Sequence, residues 1–236
     1  MGELHMIQAL LTIDDVSSRN TPAIVDYLND VGIRAILFGV GENLEKYPEQ
    51  AAYALSRGMI IGNHSDTHPA FSGLSYETCV REIEACEAKL DGVYRAAGVE
   101  RKYRPFRFPY GDKGGANKGA LQAYLKEKGF DKVDDTRIPY SWWREQGLDA
   151  DIDTFWTFDF AEYNIRPGSG FTLEDVFRRI DDRRPEAGAA ILQDGGRHIL
   201  LLHAHDETEA LAPEYYRRFI DRLLEAGVRF VEPEFI

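Results

Sequence analysis

The segment IQALLTIDD, residues 7–15, joins a short apolar run to two adjacent carboxylates, and we interpret residues 7–13 as a β-strand. Strand-like runs of this kind alternate with helical patterns along the chain. The alternation predicts an α/β fold with a mainly parallel sheet, either closed as a barrel or doubly wound. In both folds the chemistry lies beyond the carboxyl ends of the strands. Polar residues directly after each strand are therefore the candidate site residues.

The other elements are predicted from apolar runs, helical spacing and Gly or Pro boundaries. Strands are expected at residues 34–38, 59–61, 106–108, 131–134, 154–158, 199–202 and 229–231. Helices are expected at residues 22–31, 48–57, 76–97, 119–128, 173–183 and 214–225, with Ser75 as the N-cap of the third. No repeat, low-complexity tract or linker interrupts the sequence, so we expect one domain over residues 1–236. Residues 1–5 are a candidate cloning remnant.

The chain of 236 residues is acidic, with a formal net charge of -12 and 44% hydrophobic residues. The acidity argues against binding to nucleic acid or to an anionic membrane surface, since both favour Lys and Arg clusters. Solubility alone is an alternative explanation of the acidity. No apolar run reaches the ~18 residues of a membrane span, and the first residues lack a signal-peptide pattern. Compartment and oligomeric state are left open.

The two cysteines, Cys79 and Cys86, are not expected to form a disulfide. Within the predicted helix their spacing separates them by roughly 10 Å of axial rise. That distance exceeds the ~7 Å limit for bridging two Cα atoms. Two cysteines are also too few for a structural zinc site.

Two candidate blocks follow early strands. Asp14 and Asp15 point to opposite faces if the strand continues, so one can bind a metal ion while the other acts as a base; a solvated turn is the alternative. The block HSDTH places His64 and His68 four residues apart, which lets both contact one ion if the segment turns helically. Position 65 is Ser, so this is not the zincin motif. Two His and one Asp would leave room for water, as in catalytic sites.

Two later blocks also end predicted strands. RFPYG supplies Arg107, which can hold a carboxylate in a fork of two hydrogen bonds. Its Pro-Tyr-Gly turn offers a backbone N–H for an oxyanion, although a surface arginine and an ordinary turn are the alternative. LLLHAH places His203 at the end of an apolar strand, where it can transfer protons near neutral pH or serve a structural role.

The blocks TIDD, HSDTH, RFPYG, WTFDFAEY and LLLHAH occur in one order and resemble the polysaccharide deacetylase family, also called carbohydrate esterase family four. That family includes chitin deacetylases, peptidoglycan N-acetylglucosamine deacetylases and acetylxylan esterases, often extracytoplasmic. The resemblance runs from about Ile7 to the C-terminus. It implies a distorted parallel (β/α) barrel with about seven strands. It also implies a hydrolase that acts on an acetylated glycan.

The resemblance implies roles for the matched residues. Asp14 resembles the catalytic base and Arg107 the arginine that orients it. The expected ligands of a divalent ion, Zn²⁺ first with Co²⁺, Ni²⁺ and Fe²⁺ as alternatives, are Asp15, His64 and His68. Tyr110 resembles the residue whose backbone N–H binds the oxyanion. His203 resembles the general acid of the family. Leu201 and an aromatic residue, assigned here to Tyr163, resemble the walls of an acetyl-methyl pocket.

Three features depart from the family pattern. Val16 stands where the family usually has Gly after the Asp pair. The fourth block of the family often ends in Asp-Trp, and these two positions align here with Glu162 and Tyr163. Glu162 is therefore the expected carboxylate partner of His203, and Asp159 is the alternative. The segment 136–153 is longer than usual and carries Trp142 and Trp143, which either stack on sugar rings or cap the barrel.

The leading hypothesis from the sequence is a glycan N-deacetylase. One alternative keeps the metal site but acts on O-acetyl xylan or on a small amide. A carbohydrate-binding relative without catalysis is a second alternative, and the presence of a base, metal ligands and an acid argues against it. The motifs do not distinguish chitin oligomers from peptidoglycan or another glycan.

Overall fold

The secondary structure is that of an α/β protein; the computed structural model describes residues 6–236, and the candidate remnant at 1–5 lies outside this range. Over residues 6–236 the strands are β1 (Gln8–Val16), β2 (Ile36–Gly39), β3 (Ile60–Asn63), β4 (Phe158–Asp159), β5 (Arg197–His203) and β6 (Arg229–Phe230). The helices are α1 (Thr21–Asp30), α2 (Gly41–Lys46), α3 (Pro48–Ser56), α4 (Tyr76–Ala97), α5 (Lys118–Glu127), α6 (Ser141–Glu145), α7 (Leu173–Asp181), α8 (Asp206–Leu211) and α9 (Tyr215–Glu225). None of these helices combines the length and the apolar composition that crossing a bilayer requires.

Strand β1 is the centre of a parallel sheet with the order β3-β2-β1-β5-β4, and β6 pairs with the first residues of β1. Every pairing between these strands is parallel, and the register sets Asp14 opposite His203. On the other side, Asn63 at the end of β3 pairs with Gly39 at the end of β2. The carboxyl ends of four strands therefore meet at one edge, as the sequence predicted for the site.

The sheet closes into a distorted barrel through isolated contacts rather than through full strands. Asn63 forms a single parallel bridge with Phe106. The Thr154 N–H donates to the Phe106 carbonyl at 2.8 Å, and the Thr157 N–H donates to the Ile199 carbonyl of β5 at 2.9 Å. These contacts continue the wall from β3 around to β5. The barrel alternative from the sequence is thus confirmed over the doubly wound one.

Two of the predicted strands do not form. Residues 106–108 contribute one bridge, because the flanking Pro105 and Pro109 have no N–H to donate to a ladder. Residues 131–134 contribute one antiparallel bridge between Val133 and Phe235. Within residues 6–236 the sheet therefore has six strands, two fewer than the eight predicted from the apolar runs and one fewer than the about seven that the family resemblance implies. The extended segment around Phe106 occupies one of the missing positions in the wall.

The helices agree with the sequence where the periodic pattern is long. Helix α4 has the predicted bounds, and the Ser75 side chain accepts a hydrogen bond from the Thr78 N–H as its N-cap. Cys79 and Cys86 on this helix are buried and free, as predicted. The short helices α2, α6 and α8 were not predicted, because five or six residues show too few turns for an apolar periodicity.

The segment 136–153 covers the amino end of the barrel. Trp143 is 2% exposed and packs in the cluster that contains Leu10 and Ile199. Its indole N–H donates to Asp135 Oδ2 at 2.9 Å. The Tyr140 hydroxyl lies 3.0 Å from Nε2 of His198, the second residue of β5. This segment therefore seals the end of the barrel that is opposite to the carboxyl ends of the strands.

Trp143→Ala is expected to lower the free energy of unfolding by about 3–5 kcal/mol, since it removes a fully buried aromatic side chain. Urea denaturation measures the loss. Trp142→Ala is the matched control, because Trp142 is only half-buried and should lose clearly less. Equal losses in the two variants would contradict the assignment of Trp143 as the seal of the barrel.

Candidate active site

A pocket of about 470 Å³ opens at the carboxyl ends of the strands. Eight of the residues predicted from the sequence line it: Asp14, Asp15, His64, His68, Tyr110, Tyr163, Leu201 and His203. Two more, Arg107 and Glu162, are fully buried and reach pocket residues through hydrogen bonds. The fold thus brings together ten of the twelve predicted positions.

Asp15, His64 and His68 form a group in which the potential ligand atoms all lie within 4.8 Å of one another. Asp15 Oδ1 is 3.3 Å from His68 Nε2 and 3.7 Å from His64 Nε2. This oxygen is buried and has no hydrogen-bond partner. A buried carboxylate oxygen left unpaired between two imidazole nitrogens is the arrangement that a divalent ion would complete. The three residues therefore fit the expected metal ion.

The protonation states of Asp15 and His68 also suit a metal ion. Burial, followed by the neighbouring charge of His64, lowers the pKa of His68 to about 4, so this imidazole is neutral near pH 7. Burial opposes ionisation of Asp15, but its hydrogen bond with His205 and the charges of nearby histidines hold its pKa well below the usual value. Neutral imidazoles and an ionised carboxylate are the forms that bind metal ions.

The backbone around the ligands adopts conformations that are rare outside glycine. Asp15, Ser65 and His68 have φ values of 63°, 64° and 59°, in the left-handed region. His64 Nδ1 lies 2.8 Å from the Arg107 carbonyl oxygen, which can only accept a hydrogen bond. Nδ1 is therefore the donor to this carbonyl, and Nε2 is the ring nitrogen that faces Asp14 and Asp15.

The loop that carries the two histidines is held by side chains at both ends. Asn63 Oδ1 accepts from the Ser65 N–H at 2.8 Å. The Glu82 carboxylate of α4 accepts from the N–H groups of Asp66 and Thr67 at 3.1 and 2.8 Å. These contacts satisfy backbone donors in a loop that leaves the sheet, so the imidazole positions are fixed by the barrel and by α4 together.

Arg107 binds the carboxylate of Asp14, the residue directly before Asp15. Its Nη1 donates to Asp14 Oδ1 at 2.7 Å and to Thr12 Oγ1 at 2.7 Å, and its Nε donates to the Thr154 carbonyl at 2.9 Å. The expected fork of two hydrogen bonds to one carboxylate does not form, because the remaining donors serve Thr12 and the backbone. Asp14 Oδ2 is left facing His64 Nε2 at 3.3 Å.

Glu162, and not its rival Asp159, contacts His203. Glu162 Oε1 accepts from the His203 N–H at 2.6 Å and lies 3.1 Å from Nδ1 of the imidazole. Asp159 instead accepts from the Tyr163 hydroxyl at 3.0 Å and from the Ala161 N–H at 2.8 Å. Burial acts to lower the pKa of His203, but the charge and hydrogen bond of Glu162 outweigh it and raise that pKa to about 9.

The outer part of the pocket is aromatic. The Tyr110 ring is 68% exposed and lies edge-on to His68, with 4.6 Å between ring centroids. The Tyr163 ring meets the His203 imidazole edge-on at 4.9 Å. Leu201 is buried in the wall between them. These residues provide an apolar lining beside a strongly polar floor, as expected of a site for a partly apolar group.

Trp142 and Trp143 do not lie at this site, which corrects the prediction of sugar contact. Both belong to the segment that covers the amino end of the barrel, and they pack against each other with 5.6 Å between ring centroids. The alternative interpretation, that the aromatic residues cap the barrel, agrees with these positions. Aromatic residues are equally suited to a buried cap and to a sugar platform, so residue type alone did not separate the two.

Three pocket residues were not assigned from the sequence. Trp156 is the first residue of the fourth block and Arg166 lies three residues after its end, and the loose match of this block to the family hid both. His205 Nε2 lies 2.6 Å from Asp15 Oδ2. The alternation of side chains along a strand provided a signal for His205, because it stands two residues beyond His203 and so points to the same side.

Comparison with known proteins agrees with the fold and with the motifs. The profile of the polysaccharide deacetylase family matches residues 3–133. A peptidoglycan-N-acetylglucosamine deacetylase of Bacillus cereus is 32% identical over 112 residues, which are 47% of this chain and 39% of that protein. Chitin deacetylase 1 of Cryptococcus neoformans var. grubii is 32% identical over 102 residues, 43% of this chain and 21% of that protein.

Solved structures resemble this chain over nearly its whole length. A family 4 carbohydrate esterase from Streptomyces lividans, in complex with acetate, has a TM-score of 0.63 and 21% identity over 97% of this chain and 93% of the esterase chain. At that identity the likeness shows the fold alone. The match to each of the two curated relatives above spans less than half of that relative's own length.

His64→Ala is expected to abolish tight binding of the single divalent ion per chain, since it removes one of three ligands. Metal analysis after dialysis measures the occupancy. Asp159→Asn is the matched control, because Asp159, Glu162 and His203 form a second group of potential ligands in the same pocket. Full occupancy in His64→Ala, or loss of the ion only in Asp159→Asn, would move the ion to the second group.

Proposed function

Since this chain belongs to the polysaccharide deacetylase family, we propose that it is a metal-dependent hydrolase that removes N-acetyl groups from an amino-sugar glycan. The observation that carries the proposal is that the two adjacent aspartates, Asp14 and Asp15, differ in their neighbours. Asp14 is held by Arg107, while Asp15 faces His64 and His68. His64 Nε2 also lies 3.3 Å from Asp14 Oδ2, but of the two carboxylates Asp14 is bound by the arginine and Asp15 lies beside both imidazoles. This difference supports separate roles, one as a base and one as a metal ligand.

The proposed metal ligands are Asp15, His64 and His68, with Zn²⁺ as the preferred ion and Co²⁺, Ni²⁺ or Fe²⁺ as alternatives. When bound, a divalent ion supplies a more acidic water and polarises the acetyl carbonyl. The chain's own residues then orient the substrate and move protons.

Asp14 is proposed to take the proton of the attacking water. Its Oδ1 is held by Arg107 at 2.7 Å, so only Oδ2 faces the metal group. The carboxylate is 2% exposed, which keeps bulk water away from the proton that it accepts. The Tyr110 backbone N–H is proposed to donate to the oxyanion that forms at the acetyl carbonyl, beside the ion.

His203 is proposed to protonate the amine nitrogen as the C–N bond breaks. The Glu162 carboxylate fixes the imidazole through Nδ1, which leaves Nε2 free for the leaving group. The raised pKa, about 9, keeps the proton on His203 near neutral pH. Leu201, Tyr163 and Trp156 line the pocket beside it, and we propose that they accommodate the acetyl methyl group.

The metal-loaded chain is expected to release acetate from at least one of three substrates: chitin oligomers, peptidoglycan and acetyl xylan. Asp14→Asn should keep the metal and lose roughly 10²–10⁴ in rate, because it removes the proton acceptor. An acetate assay combined with metal analysis measures both. Acetate release only from acetyl xylan would transfer the proposal to an O-acetyl esterase, and no release from any substrate would favour a non-catalytic relative.

The pH dependence of kcat/KM tests whether His203 is the general acid. Activity should fall as pH rises through the pKa of His203, because the neutral imidazole has no proton to donate. Glu162→Gln removes the charge that raises this pKa, so the alkaline limb should move to lower pH.

Asp159→Asn is the matched control for this profile, since Asp159 has no hydrogen bond to His203 and bonds to Tyr163 and Ala161. Its alkaline limb should stay close to that of the parent. If the alkaline limb moves in Asp159→Asn and stays in place in Glu162→Gln, Asp159 is the residue that raises the pKa of His203.

A further inference from the structure

His205 lies on the far side of Asp15 from the proposed metal group. Its Nε2 is 2.6 Å from Asp15 Oδ2, while Asp15 Oδ1 faces His64 and His68. One oxygen of Asp15 is therefore bonded to the imidazole of His205, and the other oxygen faces the proposed metal position. Over residues 6–236, the group of potential ligand atoms around Asp15 includes His64 and His68 but not His205.

The hydrogen bond joins an imidazole nitrogen to a carboxylate oxygen, so His205 Nε2 donates and Asp15 Oδ2 accepts. The distance of 2.6 Å is that of a strong, charge-assisted hydrogen bond. Rotation of Asp15 about its last side-chain bond would break this contact, so the bond restrains the carboxylate with Oδ1 turned toward the two ligand imidazoles.

Hydrogen bonds of the residues directly before and after His205 hold it in this position. The Ala204 N–H donates to the Asp14 carbonyl at 3.0 Å, which continues the β1–β5 pairing beyond His203. On the other side, the Asp206 carboxylate accepts from the N–H groups of Arg19 and Asn20 at 3.3 and 3.0 Å. The backbone of His205 therefore cannot move relative to Asp15 without disturbing the contacts between the end of β5 and the loop after β1.

We propose that His205 is a positioning residue for the metal centre: its hydrogen bond to Oδ2 restricts Asp15 to binding the ion through Oδ1 alone. The inference rests on the proposed metal site. Partners of this kind orient the residues that bind a metal ion and raise its affinity, although they do not touch the ion themselves. His205 contributes to how tightly the ion is held and is distinct from the proton donor His203.

The test compares three variants by Co²⁺ affinity, measured in competition with a chromophoric chelator. His205→Leu keeps the bulk of the ring and removes the donor, so the affinity should fall about 10–100-fold. His205→Gln places an amide N–H near the position of Nε2 and should restore most of the affinity. Glu207→Gln is the control, because Glu207 is exposed beside His205 and should bind Co²⁺ like the parent. Near-ultraviolet circular dichroism of the metal-free variants confirms that each is folded.

The Co²⁺ absorption spectrum separates positioning from direct binding. His205→Gln should give the spectrum of the parent, since the ligand set is unchanged. A changed spectrum would overturn the inference by making His205 a ligand, and so would equal affinities of the parent and His205→Leu. A parent chain that binds no Co²⁺ would contradict the proposed metal site as well, whereas equal affinities would contradict only the role of His205.

Discussion

The parallel pairing of β1 with β5 is the constraint on which the site depends. It runs from Gln8 opposite Arg197 to Asp14 opposite His203, so the proposed base and the proposed acid are set by one ladder of backbone hydrogen bonds. A slip of one residue would turn every side chain of β1 to the opposite face of the wall. Thr12 and Asp14 are buried and bonded to Arg107, so such a slip would leave buried polar groups unpaired and would be strongly unfavourable.

Buried charges of opposite sign lie beside the proposed base and the proposed acid. Arg107 supplies a positive charge beside Asp14, and Glu162 supplies a negative charge beside His203. Each buried ion is compensated by its partner and by further hydrogen bonds, which makes its desolvation tolerable. The opposite charges beside Asp14 and His203 support the proposed assignment of one as the base and the other as the acid.

Much of this arrangement was predictable from the sequence, and what escaped prediction has physical causes. Asp14, Asp15 and His203 follow apolar runs, so the rule that sites lie at the carboxyl ends of strands located them. The left-handed backbone of Asp15 and His68 has no sequence signal, since neither is glycine. Trp143 was misplaced because burial against Leu10 depends on how a long loop returns to the barrel. The choice between Glu162 and Asp159 likewise required the path of the chain.

The uneven closure of the barrel has a consequence for its mechanics. The imidazoles of His64 and His68 follow β3, which is fully paired with β2. The adjoining part of the wall, from β3 through Phe106 to Thr154, is held by isolated hydrogen bonds instead. Local opening is easiest where few backbone bonds must break. The aromatic side of the pocket, which includes Trp156, therefore borders the part of the wall with the fewest backbone bonds. Local opening there would widen the pocket for the proposed glycan substrate, while the paired strands β1, β2 and β3 keep Asp15, His64 and His68 in place.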